Sequence, residues 1–122
     1  MAFKFEELRV WRRALDLSEE INELTKTFPR EELYILTSQV KRAADSVALN
    51  IAEGSTGQSN LEFARFLKYA LRSNIEVVSC LHIGKRRNYI NEECFLKLYK
   101  ICEEILMMIS ALIKSINNGK PR

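Results

Sequence analysis

The stretch Gln39-Val40-Lys41-Arg42-Ala43-Ala44-Asp45-Ser46-Val47-Ala48-Leu49-Asn50-Ile51-Ala52-Glu53-Gly54 reads as a helix with two distinct faces. Gln39, Arg42, Ser46, Asn50 and Glu53 follow one another at spacings of three, four, four and three. At about 100° per residue this spacing places all five on one side of an α-helix. Leu33, Leu36, Val40, Ala43, Ala44, Val47 and Ile51 form the apolar face, centred roughly 110–120° away by the same rotation. One helix therefore carries a core face and, beside it, a stripe holding a cation, an anion and three hydrogen-bonding groups. A merely solvated face would be filled with Lys and Glu in no special order, so the stripe points to a specific partner surface. Gly54 reads as the left-handed cap that ends the helix.

Working outward, the same periodicity recurs three more times. A first helix over about Glu6 to Thr27 presents Leu8, Trp11, Leu15, Leu17, Ile21, Leu24 and Phe28, and stops at Phe28-Pro29, where the residue before proline is forced to extend. Pro29, with Glu31 and Glu32 at the positive end, opens the second helix, which runs to about Ala52. Ser55 to Ser59 make a polar loop. Ser59 with Glu62 forms a capping box for a third helix, whose apolar residues, Leu61, Phe63, Leu67, Ala70, Ile75 and Val78 among them, cover more than one side. That helix ends near Gly84, before the basic turn Lys85-Arg86-Arg87. Asn91 caps a fourth helix in which Phe95, Leu98, Cys102, Ile105, Ile109, Leu112 and Ile116 form an unbroken seam. Tyr99, Leu106 and Ile113 add a second line that widens the apolar face beyond what one neighbour needs. Residues 117–122 are expected to fray. Four long helices on short loops predict a single all-α domain over residues 1–122, an antiparallel up-down-up-down four-helix bundle.

Composition agrees. A chain of 122 residues with 47% apolar residues, four Gly and two Pro is long enough to bury a core without disulfides or metals. The net charge of +3 is too small to define a nucleic-acid binder, so any such role depends on where the cations lie. Three cysteines, Cys80, Cys94 and Cys102, lack motif spacing and suit a reduced interior. Met1 to Arg9 holds no signal-like apolar run and no segment reaches transmembrane length, so a cytoplasmic protein is expected, with no membrane partner.

Catalytic chemistry finds little support. His82 is the only histidine, and no Ser or Cys sits in a nucleophile motif. His82, Cys94 and Cys80 offer at most three metal ligands without paired spacing, and the Glu-x-x-His motifs of a di-iron bundle are missing. Gly54-Ser55-Thr56-Gly57 lacks the Gly-Lys-Ser/Thr ending of a phosphate loop. No enzyme, metal or cofactor is expected. The cations are more informative. Glu62, Arg65, Tyr69, Arg72 and Glu76 make a stripe on the third helix. Folding about residue 57 sets Arg42 near Arg72 and Glu76, and Ser46 near Lys68 and Tyr69. Two readings stay open. Glu76 neutralises Arg42 or Arg72 in a structural network, or Lys41, Arg42, Arg65, Lys68 and Arg72 form a cationic seam for phosphates.

The order of residues resembles a bacterial family, the four-helix bundle proteins first known as products of intervening sequences in 23S ribosomal RNA genes. The resemblance rests on Leu8-Arg9-Val10-Trp11-Arg12-Arg13-Ala14, Phe28-Pro29-Arg30-Glu31-Glu32, Leu36 through Ser46, and above all Asn50-Ile51-Ala52-Glu53-Gly54. Phe63, Phe66-Leu67, Ala70 and Ser73 extend it into the third helix, and Leu71-Arg72-Ser73 departs from it where many relatives carry Gly before Ser. The resemblance implies side-by-side association into a ring, a homopentamer with a tapered channel, and no established enzymatic activity. It also reaches accessory proteins of retroelements that work with a reverse transcriptase and nucleic acid. The resulting expectation is a non-catalytic oligomeric scaffold that binds RNA or a ribonucleoprotein partner. Its rival is a protein–protein interaction module without nucleic acid. In the scaffold reading, Gln39, Arg42, Ser46, Asn50, Glu53 and Gly54 serve the subunit contacts and the channel wall.

Overall fold

The structure, a computed structural model, describes residues 1–57 and 59–119. Helices α1 (Arg9–Thr25), α2 (Ser38–Gly54), α3 (Asn60–Arg86) and α4 (Glu92–Asn117) fill most of it, and no strand occurs among the described residues. Each helix packs on its chain neighbours, and α1 closes the square against α4. The cross-links fix the directions. Arg13 pairs with Glu104 and Lys97 with Glu20, so α1 and α4 run antiparallel. Ser46 meets Ser73 and Gln39 meets Glu76, which does the same for α2 and α3. Asn74 bonds the Cys102 carbonyl and Lys85 bonds Glu92 across α3 and α4. The bundle is therefore up-down-up-down, as the four periodic segments and short loops dictate.

One core runs through all four helices. Leu17 and Ile21 of α1, Val47 and Ile51 of α2, Phe63, Leu67 and Leu81 of α3, and Ile105 and Ile109 of α4 are completely enclosed. Each such side chain contributes about 1.5–3 kcal/mol by leaving water. The seam on α4 lies where its spacing puts it, with Leu112 half-buried and the other members buried. The second line on α4 stays partly outside, Tyr99 and Leu106 among the exposed apolar residues and Ile113 half-buried. On α3, Leu61 and Ile75 also face out, so the second apolar side expected for that helix is uncovered in the single chain.

The helix boundaries differ from the sequence reading in three places. Before α1, Lys4–Glu7 forms a separate 3₁₀ turn, and Leu8 is extended at ψ 123°. The break lets Phe5 pack against Trp11, the rings tilted with centroids 4.7 Å apart, and gives the Arg12 Nε–H the Glu6 carbonyl. Leu15, expected on the buried side, is exposed, and Val10 and Ala14 face the core in its place. After Phe28-Pro29 the chain does not enter α2 directly. Pro29 is extended (ψ 144°), Arg30–Glu32 makes a 3₁₀ turn, and Leu33–Thr37 winds as one π-turn. The buried Glu32 explains this. Its carboxylate accepts the Leu36 N–H, the Tyr89 hydroxyl at 2.9 Å and the Arg87 guanidinium at 3.0 Å. Anchoring Glu32 there turns Leu36 inward and leaves Leu33, Tyr34 and Ile35 outside, although Leu33 had been expected in the core.

The third difference concerns glycine. Gly54 is helical and buried, with no left-handed backbone, and φ +90° falls on Gly57 instead. Gly54 is needed for its missing side chain, since a Cβ there would stand 2.5 Å from Phe66 Cβ and 3.1 Å from Phe63 Cδ1. Gly84 behaves alike. It does not end α3, which continues through Lys85 and Arg86, and Ile90 lies over it. The hairpin to α4 closes with Asn88 at φ 65° and the Tyr89 N–H on the Gly84 carbonyl. The Asn91 side chain caps α4 by accepting the Cys94 N–H at 2.8 Å. At the other end α4 stays helical through Asn117, and Asn118 and Gly119 close a turn. The remainder of the tail expected to fray, 120–122, lies outside the described residues.

Candidate functional site

The polar stripe of α2 lies along the groove it shares with α3. Ser46, half-buried, exchanges a hydrogen bond with Ser73 at 2.9 Å. Asn50 sits one turn further along, and its amide donates to the Ser46 carbonyl and hydroxyl, both at 2.9 Å. Gln39 donates to Glu76 at 3.3 Å. At the end of the stripe Gly54 brings α2 against Phe63 and Phe66. Glu53 faces solvent, with no side-chain partner among the described residues. The stripe thus contains a small hydroxyl–amide chain in its middle, with charges exposed at Arg42 and Glu53.

The register is shifted by about one turn from a fold centred on residue 57. Ser46 meets Ser73, not Lys68 and Tyr69. The reason is local. α2 remains helical through Gly54, so the turn extends toward Ser59, which caps α3 by accepting the Glu62 N–H.

The expected cations do not gather into one seam. Arg42 lines a groove of about 590 Å³ with Tyr34, Ile35, Ser38, Gln39, Ser46, Ser73 and Glu76. Lys41 is exposed but does not line it, because one residue along a helix turns the side chain by about 100°. Lys68 and Arg65 border a different hollow with Leu61, Glu62 and Asn117. Arg65 is committed there, paired with Glu62 and lying over the Phe66 ring at 5.7 Å. Arg72 is exposed. Glu76 takes the Gln39 amide and forms no ion pair with Arg42 or Arg72 among the described residues. Lys41, Arg42, Lys68 and Arg72 consequently have no carboxylate within ion-pair distance among the described residues.

Other titratable groups serve the fold. Burial pushes the Cys102 thiol up to about 12, so it stays protonated near neutral pH. Burial raises Cys80 and Cys94 too. His82 stands edge-on to the Phe95 ring at 4.9 Å. Among the described residues, no three His, Cys, Asp or Glu side chains group to hold a metal. No helix among them is long and apolar enough to cross a membrane.

Three features escaped the sequence reading. The Glu32–Tyr89–Arg87 cluster joins residues more than fifty positions apart, which no local spacing reveals. Asn74 sits on the core side of α3, and its amide donates to the Cys102 carbonyl while its own oxygen is buried without a partner among the described residues. A polar residue in an apolar run was its only signal. Tyr34 and Ile35 lie outside the apolar face traced through Leu33 and Leu36, and the π-turn places them, exposed, on the groove that Arg42 lines.

The fold is thus of the antiparallel four-helix bundle class, with a polar stripe along the α2–α3 groove and Arg42 exposed on it. The chain belongs to the 23S rRNA-intervening sequence protein family, whose model matches residues 6–111. A solved Bacteroides thetaiotaomicron structure, described as a protein of unknown function from the S23 ribosomal protein family, is similar. It shares 26% identity at a TM-score of 0.80, over 86% of this chain and 98% of that one. No curated protein matches.

Proposed function

We propose that the protein is a non-catalytic, self-associating scaffold that holds RNA, or a ribonucleoprotein partner, through exposed cations. The observation that carries this reading is the placement of Lys68 and Arg72 one turn apart on α3, with Arg42 on the neighbouring α2, all exposed and without a carboxylate at ion-pair distance among the described residues. Lys41 adds to the set from the neighbouring face. The uncovered apolar residues of α3 and α4 support self-association, because soluble monomers seldom leave such surface in water. Family resemblance favours a pentameric ring. Symmetry would repeat each cation around it and turn a small charge per chain into a strong local potential.

The test is binding of a structured RNA to the purified protein over a range of salt. Log affinity is expected to fall linearly with log salt, and a Lys68→Ala, Arg72→Ala variant to bind more weakly with a shallower slope. Equal affinity for unrelated sequences is expected, since phosphate contacts carry no sequence information. Absence of any salt-dependent binding would leave the rival, a module that binds only protein.

A further inference from the structure

Two outward strips of this bundle are complementary, and they stand at the same height. On α2, Arg42 and Leu49 stand seven residues apart on one face, and Ile35 of the π-turn before it lines the same groove as Arg42. Ile35 is 61% exposed and Leu49 66%. The strip is apolar at both ends and cationic in the middle. On α4, Leu96, Tyr99, Glu103 and Leu106 face outward beside α3, apolar at both ends with an anion in the middle. Tyr99, Glu103 and Leu106 border a groove of about 210 Å³ with Ile75, Val78 and Asn74. Neither Arg42 nor Glu103 has an ion-pair partner among the described residues.

The cross-links carry the height of one strip to the other. Gln39 and Ser46, on either side of Arg42, bond Glu76 and Ser73 of α3. Asn74, between those two, bonds the carbonyl of Cys102, next to Glu103. α2 and α4 also run in the same direction. Hence Ile35 lies level with Leu96, Arg42 with the Tyr99–Glu103 turn, and Leu49 with the Leu106 region.

We infer that a second copy of this chain docks its Ile35–Arg42–Leu49 strip on the Leu96–Tyr99–Glu103–Leu106 strip, with Arg42 paired to Glu103 of its neighbour. This rests on the self-association reading above and specifies its surfaces. The contact is head-to-tail, since the two strips are different. Strips on adjoining sides of a square bundle, at one height, repeat into a closed ring of a few copies and not into a rising filament. α3 lies between the strips, so its exposed residues, Arg65, Lys68 and Arg72 with Leu61 and Ile75, line the inside of that ring. Arg42 is then used between subunits, and Lys68 and Arg72 remain for phosphates.

Charge exchange tests the pairing. Arg42→Glu and Glu103→Arg are each expected to reduce the mass measured by light scattering from the assembly to the 14.2 kDa single chain, and the two substitutions combined in one chain to restore assembly. Leu49→Glu, at an exposed position that leaves the core untouched, should also dissociate the ring, with unchanged helical circular dichroism. A parent protein that is monomeric at every concentration overturns self-association itself. An assembled parent that tolerates either charge reversal or Leu49→Glu, or whose double exchange stays dissociated, overturns this pairing of faces and leaves the broader reading standing.

Discussion

Replacing Gly54 with Ala sets two effects of opposite sign against each other at one buried position. Inside a helix, Ala is favoured over Gly by about 1 kcal/mol. Against this, the new Cβ would lie 2.5 Å from Phe66 Cβ, 3.1 Å from Phe63 Cδ1 and 3.4 Å from the Phe63 carbonyl oxygen. Carbon atoms in contact prefer about 3.5–4.0 Å, so the overlap at Phe66 is roughly 1 Å. Phe66 Cβ is fixed to the α3 backbone and no rotamer moves it, so α2 and α3 must separate near the turn. Overpacking of this kind costs about 1–3 kcal/mol, on the larger side here because backbone must move. The net expectation is a loss of about 1–2 kcal/mol, or a fall of several degrees in Tm for a chain of this size. Thermal denaturation at fixed protein concentration measures it. Gly84→Ala is the internal comparison, because the atom nearest its new Cβ is Ile90 Cδ1, the far end of a flexible side chain. It should therefore cost less than Gly54→Ala. A Gly54→Ala variant that melts at or above the parent would refute the close-packing argument and show helix propensity to be the larger effect.

Three further outcomes are expected. The Tyr89 hydrogen bond, with help from the Leu36 N–H and Arg87, holds the Glu32 carboxyl below its usual 4.5 against the opposing effect of burial. The stability it confers is thus full above pH ~4.5 and lost as pH falls through the lowered folded value. The parent's advantage in Tm over Glu32→Gln should shrink over that acid range, and an advantage independent of pH would contradict it. Asn74→Leu removes a hydrogen bond to a helix carbonyl but also an unpaired buried oxygen, so the unfolding free energy from denaturant titration should fall by less than the about 1–3 kcal/mol of an ordinary buried polar loss. Under native conditions a thiol reagent should modify the half-buried Cys94 before the buried Cys80 and Cys102; simultaneous reaction of all three would mean global opening.

The four helices were legible because each carries its own period. Phe95 to Ile116 repeats so regularly that only a bundle seam satisfies it, and the structure buries that line. Caps were legible too, at Ser59 and Asn91, since capping is chemistry within a few residues. What failed depended on distant partners. Leu33 was read as core because nothing near it announces that Glu32 is held by Tyr89 and Arg87 from the far hairpin. Gly54 was read as a cap because a glycine at a helix end usually supplies backbone freedom, and its neighbour Phe66 comes from another helix. The hydrogen-bonding core of the stripe, Ser46 and Asn50, was marked by its spacing, but its actual partner Ser73 required the true register. The scatter of the cations around the molecule was invisible for the same reason: rotation about an axis follows from sequence, while distance between helices does not.

The π-turn at Leu33–Thr37 has the effect of a phase shifter. A hydrogen bond spanning five residues in place of four admits one additional residue, and one residue corresponds to about 100° of rotation about a helix axis. The elbow at Pro29 and Glu32 must present its side chains to the α3–α4 hairpin, and α2 must present Ser46 and Gln39 to α3. A continuous α-helix through both segments would tie these two orientations together. The turn uncouples them, so the azimuth of the stripe can be set without disturbing the elbow. Removing a single residue between Leu33 and Thr37 would leave composition and length nearly unchanged, yet would force a choice between the two contacts.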